Sequence, residues 1–378
     1  MNAGHLVLLA AGGTGGHLFP AEALAGELLG RGRRVGLVTD RRGGGFGGRL
    51  AEVAVHRISA GAMTGTGLLG RAQGALRLAL GLFQARALIA RLAPSAVVGF
   101  GGYPSVPTVL AAARARLPIL LHEQNAVLGR ANRLLARRAT LIAGAFPGLA
   151  IPGGTPLVAT GNPVRPTIAA LAGRPYRAPA PEDTLHLLVL GGSQGARVFS
   201  RIVPAAIALL PAVLRTRLVI AQQCRPEDLE SVRAAYAGLG IAARLASFFD
   251  DVPALLAEAH LVIARAGAST VAELAAIGRP ALLVPYPYAA DDHQTANAAS
   301  SAAAGAAWPL AEQTLTAESL AARLAALAED PAALAAAAAA AAGSARLDAA
   351  ERLADLVGDL LPDNGRDGAA APRRDRAA

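Results

Sequence analysis

The sequence predicts an α/β protein made of two Rossmann-like domains whose parallel sheets face a central cleft. Two observations carry this. A strand pattern enters a glycine-rich turn and then a helical pattern twice, at Leu6–Ala11 with Gly12-Gly13-Thr14-Gly15-Gly16 and at Leu185–Leu190 with Gly191-Gly192-Ser193-Gln194-Gly195. The chain's 378 residues also exceed what one ordinary core fills and suit two domains.

In chain order, the first turn opens a helix over Phe19–Leu29, and Arg34–Thr39 is the next strand, completing a βαβ unit. A third glycine turn, Gly101-Gly102-Tyr103-Pro104-Ser105, follows the strand Ala96–Gly99. A proline-rich segment, from Gly161-Asn162-Pro163-Val164-Arg165-Pro166 to Pro179-Ala180-Pro181, has linker composition. The domains are therefore drawn at 1–164 and 165–361, with an alanine-rich helix over Ala332–Ala342, another ending at Leu361, and a disordered polar tail over 362–378.

Composition excludes several chemistries. Hydrophobic residues make up 53% but aromatics only 4%, so Ala, Leu and Val must fill the cores. All 36 basic residues are arginine, which removes Walker A hydrolysis, Schiff-base chemistry and pyridoxal phosphate anchoring. The lone Cys224 rules out an internal disulfide and a multi-cysteine zinc site, as expected of a reducing cytoplasm, and is read as a core residue. Leu6–Ala11 is too short to span a membrane and lacks a basic flank, so it is read as a buried strand and the protein is expected to stay inside the cell.

Charge is uneven: residues 1–160 hold 17 Arg against 5 acids, whereas 161–378 hold 19 Arg against 22 acids. The first half should meet something anionic. Anionic lipid ranks above nucleic acid, since neither a nucleic-acid motif nor an aromatic stacking series accompanies the charge. One helical stripe, Leu76, Leu80, Phe83 and Ala87, lies opposite a second, Leu78, Leu82, Ala85 and Ile89, with Arg77 and Arg86 between them. Such a helix either packs with one face and touches lipid with the other, or is buried on both.

Glycine turns that open helices aim N–H groups at an anion, and three in one chain point to phosphate groups. The first turn departs from the dinucleotide fingerprint, with Leu18 where glycine is required. His17 follows that turn, where a side chain projects into the cleft mouth and can take a proton from a hydroxyl. His122-Glu123-Gln124-Asn125 ends a strand with four polar side chains, which burial would not tolerate without partners. Glu273 lies one turn inside a helix that opens at Gly267-Ala268-Ser269-Thr270, placed to accept two ribose hydroxyls or simply to face solvent. Asp291-Asp292-His293-Gln294 suits sugar hydroxyls, or is a polar loop. With no Asp-x-Asp pair to grip a metal–diphosphate complex, N–H dipoles and arginine must stabilise the leaving group.

At these positions the chain resembles the MurG family, the UDP-N-acetylglucosamine–N-acetylmuramyl-(pentapeptide) pyrophosphoryl-undecaprenol N-acetylglucosamine transferases. The matching stretches are GGTGGHLFPA (12–21), GFGGYPSVP (99–107), LHEQNAVLGRANRLLA (121–136), TGNPVR (160–165), GGSQGAR (191–197), ARAGASTVAEL (264–274) and DDHQTANA (291–298), in family order. The resemblance implies a GT-B fold and an inverting transfer of GlcNAc from UDP-GlcNAc to the 4-hydroxyl of undecaprenyl-pyrophosphoryl-MurNAc-pentapeptide. It implies a donor site in which Ser193 and Gln194 hold the diphosphate, the main chain of Phe249 the uracil and Glu273 the ribose, with Ala268, Ser269 and Thr270 beside them. Asn125, Arg165, His293 and Gln294 would shape the sugar and phosphate pocket, and Thr14, Gly15, Gly16 and Tyr103 the acceptor pyrophosphate cradle. His17 is the expected base, with Glu123 as runner-up.

No resident cofactor or metal is expected, and divalent-ion assistance is left open. The expected setting is peripheral, on the cytoplasmic face of the bacterial inner membrane, with anionic lipids and a cell-wall synthesis complex as partners and links to cell shape and division. Other GT-B transferases, a non-catalytic nucleotide-sugar binder and an oxidoreductase are the competing readings. The family's His-Gln-x-Gly stretch is replaced here by Ala221-Gln222-Gln223-Cys224, and Arg-Ser-Gly-Ala by Arg265-Ala266-Gly267-Ala268.

Overall fold

The computed structural model describes residues 4–12, 15–40, 48–60, 68–192 and 195–362. The expected polar tail beyond 362 lies outside them. Among the described residues there are two wholly parallel sheets. The first contains β1 (Leu6–Ala10), β2 (Arg34–Thr39), β3 (Ala54–Arg57), β4 (Ala96–Gly99), β5 (Ile119–Glu123), β6 (Leu141–Gly144) and β7 (Leu157–Ala159). The second contains β8 (Leu185–Leu190), β9 (Leu218–Gln223), β10 (Arg244–Ala246), β11 (Leu261–Ala264), β12 (Ala281–Leu283) and β13 (Ala307–Pro309).

Their orders are β3-β2-β1-β4-β5-β6-β7 and β10-β9-β8-β11-β12-β13. Chain direction across each sheet reverses at one strand: β1 pairs with both β2 and β4, and β8 with both β9 and β11. In a doubly wound sheet the crevice that binds ligand opens at the carboxyl ends of such strands. Gly12, Gly101, Gly102, Gly191 and Gly192 all follow the carboxyl ends of β1, β4 and β8.

Period-two alternation explains the layering. Val7 and Leu9 of β1 join one buried cluster with Leu24 and Leu28 of the helix Gly15–Gly30, while Leu8 joins another with Val97, Leu121, Leu88 and Ile89. In β8, Leu187 and Val189 face one side and Leu188 the other. Few aromatics are needed: beyond Tyr236, Phe100 and Phe199, the largest fully buried side chains are leucine and isoleucine.

Ile168 belongs to a core cluster with Leu188, Val262 and Leu283 of the second sheet. Helix Ala349–Leu360 returns to the first domain, where Leu353, Ala354, Val357 and Leu361 pack with Leu24 and Leu28. Arg31 seals the return with a 2.6 Å ion pair to Asp355 and a hydrogen bond to the Glu351 carbonyl. The sequence marked only a helix ending at Leu361, so its partner was not readable there.

Candidate active site

The His17 ring lies over glycine backbone. A Cβ on Gly101 would sit 3.3 Å from His17 Nε2, and one on Gly12 3.3 Å from its Nδ1. Gly101 also has φ of +87°, so only glycine suits both the backbone and the approach of the ring. Burial between these turns, and secondarily repulsion from His293, lower the His17 pKa to about 4. His293 belongs to the second domain, where it starts the helix His293–Ala303, so the cleft brings the two predicted histidines together. Its Nδ1 donates to the Ala290 carbonyl at 2.7 Å, which makes Nε2 the acceptor when the ring is neutral.

Glu123 is 2% exposed and its carboxylate is saturated. Oε1 accepts from Asn125 N at 3.1 Å and Asn125 Nδ2 at 3.0 Å; Oε2 accepts from Gly129 N and Asn132 Nδ2, both at 2.9 Å. These four bonds commit the carboxylate lone pairs to the loop 124–132. The neighbouring His122 is fully buried, which lowers its pKa to about 4. Gln124 Nε2 donates to its Nδ1 at 3.0 Å, so its Nε2 carries the proton and donates to the Gly161 carbonyl at 3.2 Å.

Asn125 was expected to shape the sugar pocket, but both ends of its amide engage protein. Besides donating to Glu123, it accepts from Asn297 Nδ2 at 3.2 Å. Asn297, fully buried in the second domain, also donates to the Ala266 carbonyl at 3.0 Å and accepts from Ala126 N at 2.8 Å. The loop after β5 is thus tied across the cleft to the turn that opens the helix Ala268–Ile277. Asp291, at φ of +54°, adds a 3.3 Å ion pair to Arg130 of the first domain.

That helix has Gly267 at its N-cap and no side-chain cap, so the N–H groups at Ala268, Ser269 and Thr270 remain for an anion. The buried Ser269 hydroxyl has no hydrogen-bond partner among the described residues. Glu273 and Arg165, predicted separately, form a two-pronged ion pair at 2.7 and 2.9 Å. The Arg165 guanidinium also lies 5.0 Å from the centre of the Phe19 ring, two residues from His17. Each Glu273 oxygen keeps a second lone pair, so a ribose diol can bind a carboxylate that arginine orients.

The Phe249 ring is buried in the core beneath Arg244, leaving its main chain for a ligand. Gln294 accepts from Tyr286 N at 2.9 Å, while Tyr103 is partly buried on the third glycine turn. Gly15 and Gly16 open the His17 helix. Thr14, Ser193 and Gln194 lie outside the described residues.

Known proteins match this architecture on both sides of the cleft. Residues 7–143 match the glycosyltransferase family 28 N-terminal domain and 186–353 its C-terminal domain. Curated relatives from Rhodospirillum centenum and Paramagnetospirillum magneticum are 61% and 58% identical, over 93% and 94% of this chain and 93% and 97% of theirs. Both are named UDP-N-acetylglucosamine–N-acetylmuramyl-(pentapeptide) pyrophosphoryl-undecaprenol N-acetylglucosamine transferase. The chain belongs to the MurG family.

The MurG crystal structure from Acinetobacter baumannii superposes with a TM-score of 0.75 at 32% identity, covering 94% of this chain and 99% of that one. The fold is therefore GT-B. A Staphylococcus aureus MnaA–UDP structure, at 14% identity and a TM-score of 0.65, shares the fold alone.

Within this MurG-family chain, sequence reasoning missed Asn297, Asn132 and Gln223. All three lie next to or within marked motifs, and the available signal was a polar amide at a position where the pattern requires burial. The substituted Gln222 is structural: fully buried, it accepts from Tyr236 Oη at 2.6 Å and donates to the Phe199 carbonyl at 3.2 Å.

The lowered His17 pKa sets the expected pH dependence. A base must be unprotonated, and this ring is neutral down to about pH 4. The kcat/KM profile, which reports the free enzyme, should stay level through pH 6.5 and fall only as pH approaches 4. A limb at the ordinary histidine value near 6.5 that persists in His17→Gln would contradict the assignment.

Proposed function

We propose that this chain is an inverting N-acetylglucosaminyltransferase that moves GlcNAc from UDP-GlcNAc to the 4-hydroxyl of undecaprenyl-pyrophosphoryl-MurNAc-pentapeptide in peptidoglycan synthesis. The observation that carries it is the 61% identity over nearly the whole chain to a relative named for this transfer. The hydrogen bonds that tie the loop 124–132 to Asn297 across the cleft add support.

The chemistry follows from the residues. The acceptor oxygen attacks C1 of the sugar as the bond from C1 to the phosphate oxygen breaks on the opposite face, which inverts the centre. His17 takes the hydroxyl proton, and the negative charge departs with UDP. Main-chain N–H groups at Ala268–Thr270 and the turn at 191–195 receive that charge, so the scheme needs no resident metal. Bound diphosphate would raise the His17 pKa and strengthen it as a base. Glu273 holds the ribose, and Arg165 fixes its carboxylate.

Transfer of labelled GlcNAc to a synthetic polyprenyl-pyrophosphoryl-muramyl-pentapeptide tests this. His17→Ala should lose about 10²- to 10⁴-fold in kcat, and Glu273→Ala should chiefly raise the donor KM. Wild-type protein that bound UDP-GlcNAc but never used the acceptor would leave a nucleotide-sugar binding protein.

The surface supports peripheral attachment to the cytoplasmic face of the inner membrane, where a cell-wall synthesis complex and its roles in cell shape and division would be met. Among the described residues no single helix is long and apolar enough to cross a membrane. In the helix Leu68–Leu92, Leu76 and Phe83 are each 71% exposed, flanked by exposed Leu80, Ala87, Arg77 and Arg86. The opposite stripe, including Ala85 and Ile89, is buried in the domain. Apolar side chains of this size contribute about 1.5–3 kcal/mol each on burial, and each arginine near an anionic surface about 1 kcal/mol. A Leu76→Ser, Phe83→Ser variant should bind anionic vesicles at least ~10-fold more weakly, and high salt should release the wild type. Unchanged flotation of the variant would contradict this attachment.

A further inference from the structure

We infer that Gln223 is a positioning residue for donor binding, its side-chain amide setting the distance between the turn assigned to the diphosphate and the segment assigned to the uracil. This rests on the UDP-GlcNAc reading above.

Gln223 is the last residue of β9 and is 7% exposed. Its Oε1 accepts from Gly191 N at 3.1 Å, and its Nε2 donates to the carbonyls of Gly192 and Ser247, both at 3.1 Å. One N–H on the oxygen side and two carbonyls on the nitrogen side leave a single orientation for the amide. The two tethered segments leave β8 and β10, which flank β9 without pairing with each other. Beyond the ends of those strands, the ladder no longer fixes their separation, and the Gln223 side chain does.

Both segments lead to assigned donor contacts. Gly191 and Gly192 open the turn that continues to Ser193 and Gln194, and Ser247 precedes Phe249 by two residues. A Cβ on Gly191 would collide with the main-chain N of Ala196, so this position takes glycine. UDP joins two anchors, uracil and diphosphate, through one ribose, so its affinity over that of the nucleoside depends on both sites standing within the short span it can bridge. Glutamine is suited to this span. Asparagine is one methylene shorter, and glutamate would set a carboxylate against two carbonyl oxygens.

Calorimetric titration of the full chain with uridine and with UDP tests the inference. In Gln223→Met, uridine affinity should stay within about twofold of wild type while UDP binds about tenfold more weakly. Equal loss of both ligands would mean general damage to the domain and would overturn the positioning role, as would unchanged UDP binding. Gln223→Glu supplies a second readout. Its UDP affinity relative to wild type should be lower at pH 8 than at pH 5, where a protonated carboxyl regains one donor; a pH-independent ratio would count against the role. Wild-type protein that bound no UDP would instead overturn the donor reading beneath it, and this outcome is seen before any variant is made.

Discussion

A buried carboxylate organises the cleft. Glu123 stands at the end of β5, 2% exposed, and its charge is tolerable only because four N–H donors converge on it. Those donors fold the loop 124–132 around it and aim Asn125 at Asn297 in the other domain. Asn297 in turn holds the Ala266 carbonyl at the start of the helix that carries Glu273. Glu273 binds Arg165, and Arg165 covers Phe19 on the helix that carries His17. The connection therefore leaves the first domain beside one predicted catalytic residue and re-enters it beside the other. Removing one hydrogen-bond partner from a buried charged group costs about 1–3 kcal/mol or more, and the loop 124–132 depends on these contacts.

The fold places this circuit economically. In each sheet the strand order reverses at one strand, β1 or β8, and glycine-rich turns follow β1, β4 and β8 in the sequence. Between those turns the His17 ring is desolvated and neutral, the state in which it can accept a proton. The helix Ala349–Leu360 crosses back onto the first domain and joins the two halves a second time through apolar packing.

Much of this was legible before any coordinates. The strands β2, β4 and β8 have the bounds their hydrophobic patterns predict, because runs buried on both faces leave few alternatives. The opposed stripes of the helix Leu68–Leu92 were legible too, but whether the outer one was covered was not, since an all-round apolar pattern fits both cases. The site was legible as motifs and not as contacts. His122, Glu123 and Asn125 were marked by their polarity at a strand end, yet nothing in the sequence says that Glu123 spends its lone pairs on the protein or that Asn125 meets Asn297 172 residues away. The pairing of Arg165 with Glu273 was hidden for the same reason: each suited a ligand, and long-range geometry alone reveals that they suit each other.

The central claim is that the hydrogen bond between Asn125 and Asn297 joins the acceptor-side loop to the donor-side helix as one catalytic unit. A double-mutant cycle on kcat/KM for GlcNAc transfer, using Asn125→Ala, Asn297→Ala and the double variant, measures it most directly. The account predicts that the second substitution adds little to the first, with a coupling of about 1–3 kcal/mol. Losses that add within about 0.5 kcal/mol would show that the two residues act independently and would contradict it.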